Sequence, residues 1–374
     1  MPLYNIKTQL HQTLRALTEW STAKAKHLSE HSGKPPKDIR VKLIAVAKDE
    51  AAYIAEWIAH HLYFGFDEIE IHINRTTDNT REIVKCFESQ GNIKLVEADP
   101  FFDSYPGNPQ VGTYKKAFAS AAKEGFSHLC FLDIDEYWVP TNLTDTIKDA
   151  IANLAPADVI SFEWFNKFEP DNVFGPALES SVFAIRATQV KSVVDAKAPS
   201  FRVNPHSIVN PYLRYKLADG RTFEQCSEGF SRVKPEELTK AVKPYFILHR
   251  YYRSQKEYIA LLGKGRPNFP QQGVSQVKSN RKGYADRSKV TEVRFNKEAY
   301  NSYRTKIEKT ISQYVDTSLL SLAQKSVTQR YARVLEIIEK SEASQAGVLN
   351  KVLLNVTDKE ALNAYQKFQS SLHR

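Results

Sequence analysis

Residues 133–136 read Asp-Ile-Asp-Glu and follow the apolar run Leu129-Cys130-Phe131-Leu132. Carboxylates this close raise one another's pKa, and burial raises each further. A cation or open water must therefore stand beside them. In an extended chain, residues i and i+2 share a face, so Asp133 and Asp135 are expected to aim at one point beyond a strand end. A hard divalent cation takes one or two carboxylates plus substrate phosphate oxygens, and a metal so placed neutralises a phosphate leaving group. The expected cofactor is Mn2+ or Mg2+. The plainer reading is a solvated acidic turn. Two further polar clusters, Lys48-Asp49-Glu50 and Asn74 to Asp78, also fall at expected strand ends and favour a site instead.

An alternating pattern places these clusters. Residues 41–47, VKLIAVA, form a short apolar run that predicts a buried strand. Asp49 is expected to cap the next helix, in which Tyr53, Ile54, Trp57, Ile58 and Leu62 share one face and which Gly65 stops. Ile69, Ile71 and Ile73 alternate with Glu70 and His72 in a second strand. A helix over 80–90, a strand over 93–96, a helix over 111–123 and a strand over 129–134 follow. The expected fold class is α/β: a mainly parallel, Rossmann-like sheet with helices on both faces. Such sheets bind ligands beyond the carboxyl ends of their strands. Further on, 159–165, 182–186 and 245–249 read as strands and 254–262 as a capped helix. From residue 295 the chain is polar and helical. The expected organisation is a helical extension over 1–38, an α/β domain over 39–270 and a mostly helical region over 271–374.

Composition narrows the class. The chain has 374 residues, a hydrophobic fraction of 42% and a net charge of +9. A basic balance favours anionic partners such as nucleotide phosphates or acidic lipid headgroups; no nucleic-acid-binding motif is present, and none is expected as a partner. Cys86, Cys130 and Cys226 are too widely spaced for a disulfide framework or a zinc pattern. With no apolar run of membrane-spanning length and no signal-peptide pattern at the N-terminus, the expected location is cytoplasmic, with peripheral contact at the inner face of an anionic membrane.

Four stretches carry a resemblance: AVAKDEAAYIAEWIAHHLYFGFDEIEIHIN (45–74), RTTDNT (75–80), FLDIDEYWVP (131–140) and LHRYYRSQKEYIALLGKGRP (248–267). Their order and content resemble glycosyltransferases of the GT-A type, in the family 2-like branch close to family 92, over residues 41 to 266. The resemblance implies a metal-dependent, inverting transfer of a sugar from a nucleotide-sugar donor, a UDP-sugar favoured, to a glycan or lipid-linked glycan. The size, the widely spaced cysteines and the lack of a signal-anchor pattern add the expectation of bacterial surface polysaccharide or lipopolysaccharide synthesis. It places Lys48, Glu50, Asn74 and Asp78 at the nucleoside, Asp133 at the ribose and metal, and Asp135 on the metal. His249, with His206 second, would complete the metal shell. Arg250, Arg253, Lys264 and Arg266 would neutralise diphosphate. Glu163 and Asp171 lie where the acceptor segment falls and are the expected bases; Asp195 and Glu228 come next. Three positions depart from the family pattern: Asp49 stands for an Asn, Ile73 for an Asp and Asn79 for a Gly.

Two rival readings keep the motif and change the chemistry. Haloacid dehalogenase-like phosphohydrolases also place Asp-x-Asp after an apolar strand. Their motif, however, needs Thr or Val where this chain has Tyr137, and their fold begins with it. A non-catalytic sugar-nucleotide binding module would bind donor without turnover.

Overall fold

The computed structural model describes residues 38–200, 202–210, 212–223, 229–264 and 277–372. Nearly all of the expected 1–38 extension lies outside them, as do Cys226, Glu228 and Arg266. In chain order the first elements are β1 (Val41–Ala47), α1 (Ala51–Tyr63), β2 (Glu68–Ile73), α2 (Thr80–Glu88), β3 (Ile93–Glu97), α3 (Asp99–Ser104), α4 (Pro109–Ala121) and β4 (His128–Phe131). Next come β5 (Glu136–Pro140), α5 (Ile147–Asn153), β6 (Val159–Lys167), β7 (Ser181–Asp195), β8 (Arg202–Val203), β9 (Ile208–Val209), β10 (Tyr215–Leu217) and β11 (Tyr245–His249). The chain ends with α6 (Gln255–Leu262), β12 (Thr291–Arg294), α7 (Lys297–Tyr314), α8 (Thr317–Glu339), α9 (Ala346–Val352) and α10 (Lys359–Ser371).

The main sheet runs β3-β2-β1-β4-β7-β6-β11-β5, with β10 beside β6 and β12 beside β7. Strands β3, β2, β1 and β4 are parallel throughout. Antiparallel pairs begin at β4–β7 and continue through β6–β7 and β5–β11, while β6–β11 is again parallel. The sheet is thus mixed but mainly parallel, and β1 is buried because helices cover both faces. Helix α1 turns Ile54, Trp57 and Ile58 into the core, and Gly65 ends the segment at φ +84°, a conformation glycine adopts without steric cost.

Three elements differ from expectation. β4 stops at Phe131, so the Asp-Ile-Asp-Glu motif is a turn and not the end of an extended strand. β5 then starts inside the motif, at Glu136, where Tyr137, Trp138 and Val139 pair with β11. β7 spans 181–195, far beyond the expected 182–186; Thr188, Gln189 and Lys191 interrupt its apolar pattern, yet the pairing with β6 continues through a register shift at Glu163/Trp164. The C-terminal helices share the sheet's core: Tyr303, Ile307, Val327 and Val334 are buried in one cluster with β1, β5 and α1. His60 ties them together, bonding the Tyr303 hydroxyl at 2.9 Å and the Trp138 carbonyl at 2.8 Å.

Candidate active site

The acidic turn is pinned from three sides. The Glu136 N–H donates to the Asp133 carbonyl at 2.9 Å. The Trp57 indole N–H reaches from α1 to the Asp133 and Glu136 carbonyls at 3.1 and 2.8 Å. Glu136 accepts the Asp133 N–H at 2.8 Å. The positive partner that the cluster demands is Lys191 of β7, only 1% exposed, with Nζ 3.0 Å from Glu136 Oε2 and 3.2 Å from Asp133 Oδ2. Burial works against the Lys191 charge, but Asp133 and Glu136 outweigh it and hold its pKa above the ordinary lysine value. Burial pushes Glu136 upward, against the pull of Lys191. Gln110, at the start of α4, donates to Asp133 Oδ1 at 2.9 Å. Sequence reasoning missed Lys191 and Gln110. The signal for the first was there: a lone lysine within Val190–Lys191–Ser192–Val193, a run that is buried throughout.

Asp135 lines the same cavity with a different partner. The β5–β11 register sets His249 opposite Glu136, and His249 Nε2 lies 3.6 Å from Asp135 Oδ2. Burial would raise the Asp135 pKa; the opposite influence of His249, Arg253 and Arg281 keeps it well below the usual carboxylate range. A carboxylate oxygen and an imidazole nitrogen at this separation suit a divalent cation of the Mn2+ or Mg2+ kind, which draws its other ligands from phosphate and water. The described residues contain no group of three or more His, Cys, Asp or Glu side chains able to hold a metal; Asp135 and His249 are the pair that the cavity offers. His206 is not one of them. Its Nδ1–H donates to the Val190 carbonyl at 2.9 Å, burial lowers its pKa to about 4, and it lies outside the cavity that His249 lines. Trp164 packs against both rings, at 4.3 Å from His249 and 5.4 Å from His206.

The cavity beside this pair holds about 320 Å³, and its remaining wall is basic. Lys48, Lys264, Lys278 and Arg281 line it, with Glu50, Tyr251, Phe102 and Gln110. Burial, reinforced by Arg281 and Lys264, pushes the Lys278 ammonium down to about 7. Burial also lowers Lys48, partly offset by Asp49. Cations held at depressed pKa values call for an anion. Glu50 lines the cavity, but both its oxygens are committed, one to Arg253 at 3.0 Å and the other to Lys264. Arg253 in turn lies 3.6 Å over the Tyr53 ring. Arg250, expected at the diphosphate, is instead buried against Glu169 at 2.8 Å. Lys278 and Arg281 escaped the sequence reading because they lie beyond the resembling stretches.

Asn74 and Asp78 do not line the cavity. Asn74 is fully buried, and neither atom of its amide has a hydrogen-bond partner. Asp78 caps two helices, accepting from the Thr80 N–H at 3.0 Å and the Ala51 N–H at 3.2 Å. That corrects the donor-binding role expected for it. Asp49, by contrast, does not cap the helix expected of it: at φ +51° it accepts the Thr77 N–H at 2.6 Å and so closes the loop between the two clusters.

The two expected bases are also elsewhere. Glu163 is 1% exposed, bonded to Lys243 and held by Arg186 at 2.7 Å. A carboxylate clamped by two cations out of the cavity cannot meet an acceptor hydroxyl. Asp171 sits exposed on the loop after β6, away from the cavity lining. Of the next candidates, Asp195 ends β7 opposite His128 and also lies off the lining.

No curated protein matches the chain in sequence. Solved structures with a similar chain path include S. aureus TarS 1-349 in complex with UDP, at 14% identity, 90% of this chain, 91% of that one and a TM-score of 0.28. Another is the mannosyltransferase PcManGT from Pyrobaculum calidifontis in complex with GDP-Man and Mn2+, at 12% identity, 96% and 95% coverage and a TM-score of 0.32. The chain spans 28% of the longer S. aureus TarS chain, at 17% identity over 42% of its own length and a TM-score of 0.25. Likeness at this level carries nothing about substrates. The sequence model of glycosyltransferase family 92 matches residues 41–211, a little under half of the chain. The acidic turn after the fourth strand lies inside the segment that is similar to glycosyltransferase family 92, and the basic cavity opens beside it.

Proposed function

We propose that the chain moves a sugar from a nucleotide-sugar donor, with a UDP-sugar favoured, to a glycan or lipid-linked glycan, with inversion and with Mn2+ or Mg2+ at Asp135 and His249. The observation that carries this reading is the convergence of Lys48, Lys264, Lys278 and Arg281 on the cavity that contains Asp135 and His249. Lys48 and Lys278, both held below the ordinary lysine value, beside a two-ligand pair fit a diphosphate. When bound, the metal would neutralise charge on the departing diphosphate.

The chain's own residues do the rest. Lys278 and Arg281 would contact phosphate oxygens, and Glu50 would keep Lys264 and Arg253 in place. Asp133, still 38% exposed at its side chain, would accept a donor hydroxyl. Inversion by direct displacement also needs a base at the acceptor hydroxyl; the carboxylates on the described lining are Glu50, Asp133 and Asp135, not Glu163 or Asp171. A peripheral, cytoplasmic position at an anionic membrane, in bacterial surface polysaccharide synthesis, rests on the net charge of +9. Among the described residues no helix is long and apolar enough to cross a membrane.

The test is donor hydrolysis, screened over UDP- and GDP-sugars with Mn2+ and with chelator. Metal-dependent release of sugar, lost in Asp135→Ala with the fold kept, is the expected result. Donor binding without sugar release would point to a non-catalytic module, and full activity of Asp135→Ala in excess chelator would refute the metal assignment.

A further inference from the structure

The two aspartates of the motif occupy different electrostatic surroundings. Both oxygens of Asp133 are engaged, Oδ1 by the Gln110 amide at 2.9 Å and Oδ2 by the Lys191 ammonium at 3.2 Å. Asp135 instead faces His249 at 3.6 Å. Both aspartates nevertheless line the same cavity. Lys191 is buried and bridges Asp133 and Glu136, and Glu136 in turn fixes the Asp133 backbone through its N–H at 2.8 Å. A divalent cation brought to Asp133 would meet that ammonium at short range in a low-dielectric setting, where like charges repel strongly. A cation at Asp135 and His249 keeps the imidazole side of the turn to itself.

We propose that Lys191 is a positioning residue that divides the motif: it locks Asp133 as an acceptor for donor hydroxyls and keeps it off the metal, which leaves the metal to Asp135 and His249. The inference rests on the metal-dependent reading of the cavity and names the residue that decides which aspartate ligates. Lys191 touches neither metal nor donor; it acts through Asp133 and Glu136.

The test reads Mn2+ binding without turnover. Mn2+ alone is titrated into the purified full chain, and free Mn2+ is followed by electron paramagnetic resonance, with circular dichroism as the check on folding. Asp133→Asn should hold Mn2+ within about threefold of the unaltered protein, whereas Asp135→Asn and His249→Ala should each weaken it about tenfold or more. Lys191→Met removes the repelling charge and frees Asp133 to ligate, so Mn2+ affinity should rise about tenfold. A residue with a merely structural role, once removed, would lower affinity or leave it unchanged. The gain should vanish in Lys191→Met combined with Asp133→Asn, which is the pairwise coupling that a double-mutant cycle isolates. Lys191→Arg keeps the charge and should bind Mn2+ like the unaltered protein.

Asp133→Asn weakening Mn2+ as much as Asp135→Asn would overturn the division of the motif and leave the metal site standing. Unchanged affinity in folded Lys191→Met would overturn it too. If Asp135→Asn itself leaves Mn2+ binding intact, the metal reading falls and this inference falls with it. If Lys191→Met does not fold, the Asp133→Asn and Asp135→Asn comparison decides alone.

Discussion

On the function proposed above, Lys278 links donor binding to pH. Its ammonium is held down to about 7 by burial and by Arg281 and Lys264. A bound diphosphate offsets those cations and returns the group toward the ordinary lysine value, near 10.4. The ligand therefore prefers the protonated form, and binding above pH 7 must take up a proton. The affinity is full below the free pKa and is lost as pH rises through it. With a free pKa of about 7, the apparent Kd for UDP in Mg2+ should rise about fifty-fold between pH 7 and pH 9, close to tenfold per unit at the upper end. Phosphate's own second ionisation, near pH 6, lies below that window. Calorimetry at pH 8 in two buffers of different ionisation enthalpy should report uptake of about one proton. Lys278→Met should bind more weakly at pH 7 and lose both the slope and the uptake. A flat affinity across the window, or a slope that survives in Lys278→Met, would refute the argument that this lysine meets the phosphates.

Other perturbations separate structure from chemistry. Glu163→Gln leaves the buried Lys243 with Glu237 alone, at 3.3 Å, and Arg186 with only the Lys240 and Glu237 carbonyls, so urea denaturation should show a loss of about 3 kcal/mol while transfer per folded molecule stays within about threefold. A rate loss of about a hundredfold at unchanged stability would instead make Glu163 the base. Trp57→Phe removes the N–H that bridges the Asp133 and Glu136 carbonyls; it should cost about 1–3 kcal/mol and weaken Mn2+ binding, read by the same titration as above. Sedimentation with anionic liposomes should show binding at low salt and release at high salt; no binding at low salt would remove the membrane contact.

The sequence by itself determined the first half of the sheet and raised the expectation of a site. The apolar run of β1, the alternation of β2 and the glycine after α1 are local signals, and each element formed where its pattern lay. The capping box at Ser254 and Glu257, likewise local, set the start of α6. The acidic motif, with Lys48 and Glu50 at a neighbouring strand end, raised the expectation of a metal and a phosphate, which is the reading proposed above. Tertiary structure decided which side chains belong there. Lys191, Gln110, Lys278 and Arg281 reach the site from β7, α4 and the chain beyond α6, and no spacing in sequence records that meeting. It also removed Asp78, Glu163 and Asp171, which have the right chemistry but are used as a helix cap, as one partner of a buried ion pair and on an exposed loop. The physical reason is range. Helix and strand propensity act over a few residues, whereas the charge state and direction of a buried carboxylate depend on whichever cation the folded sheet brings within about 4 Å of it.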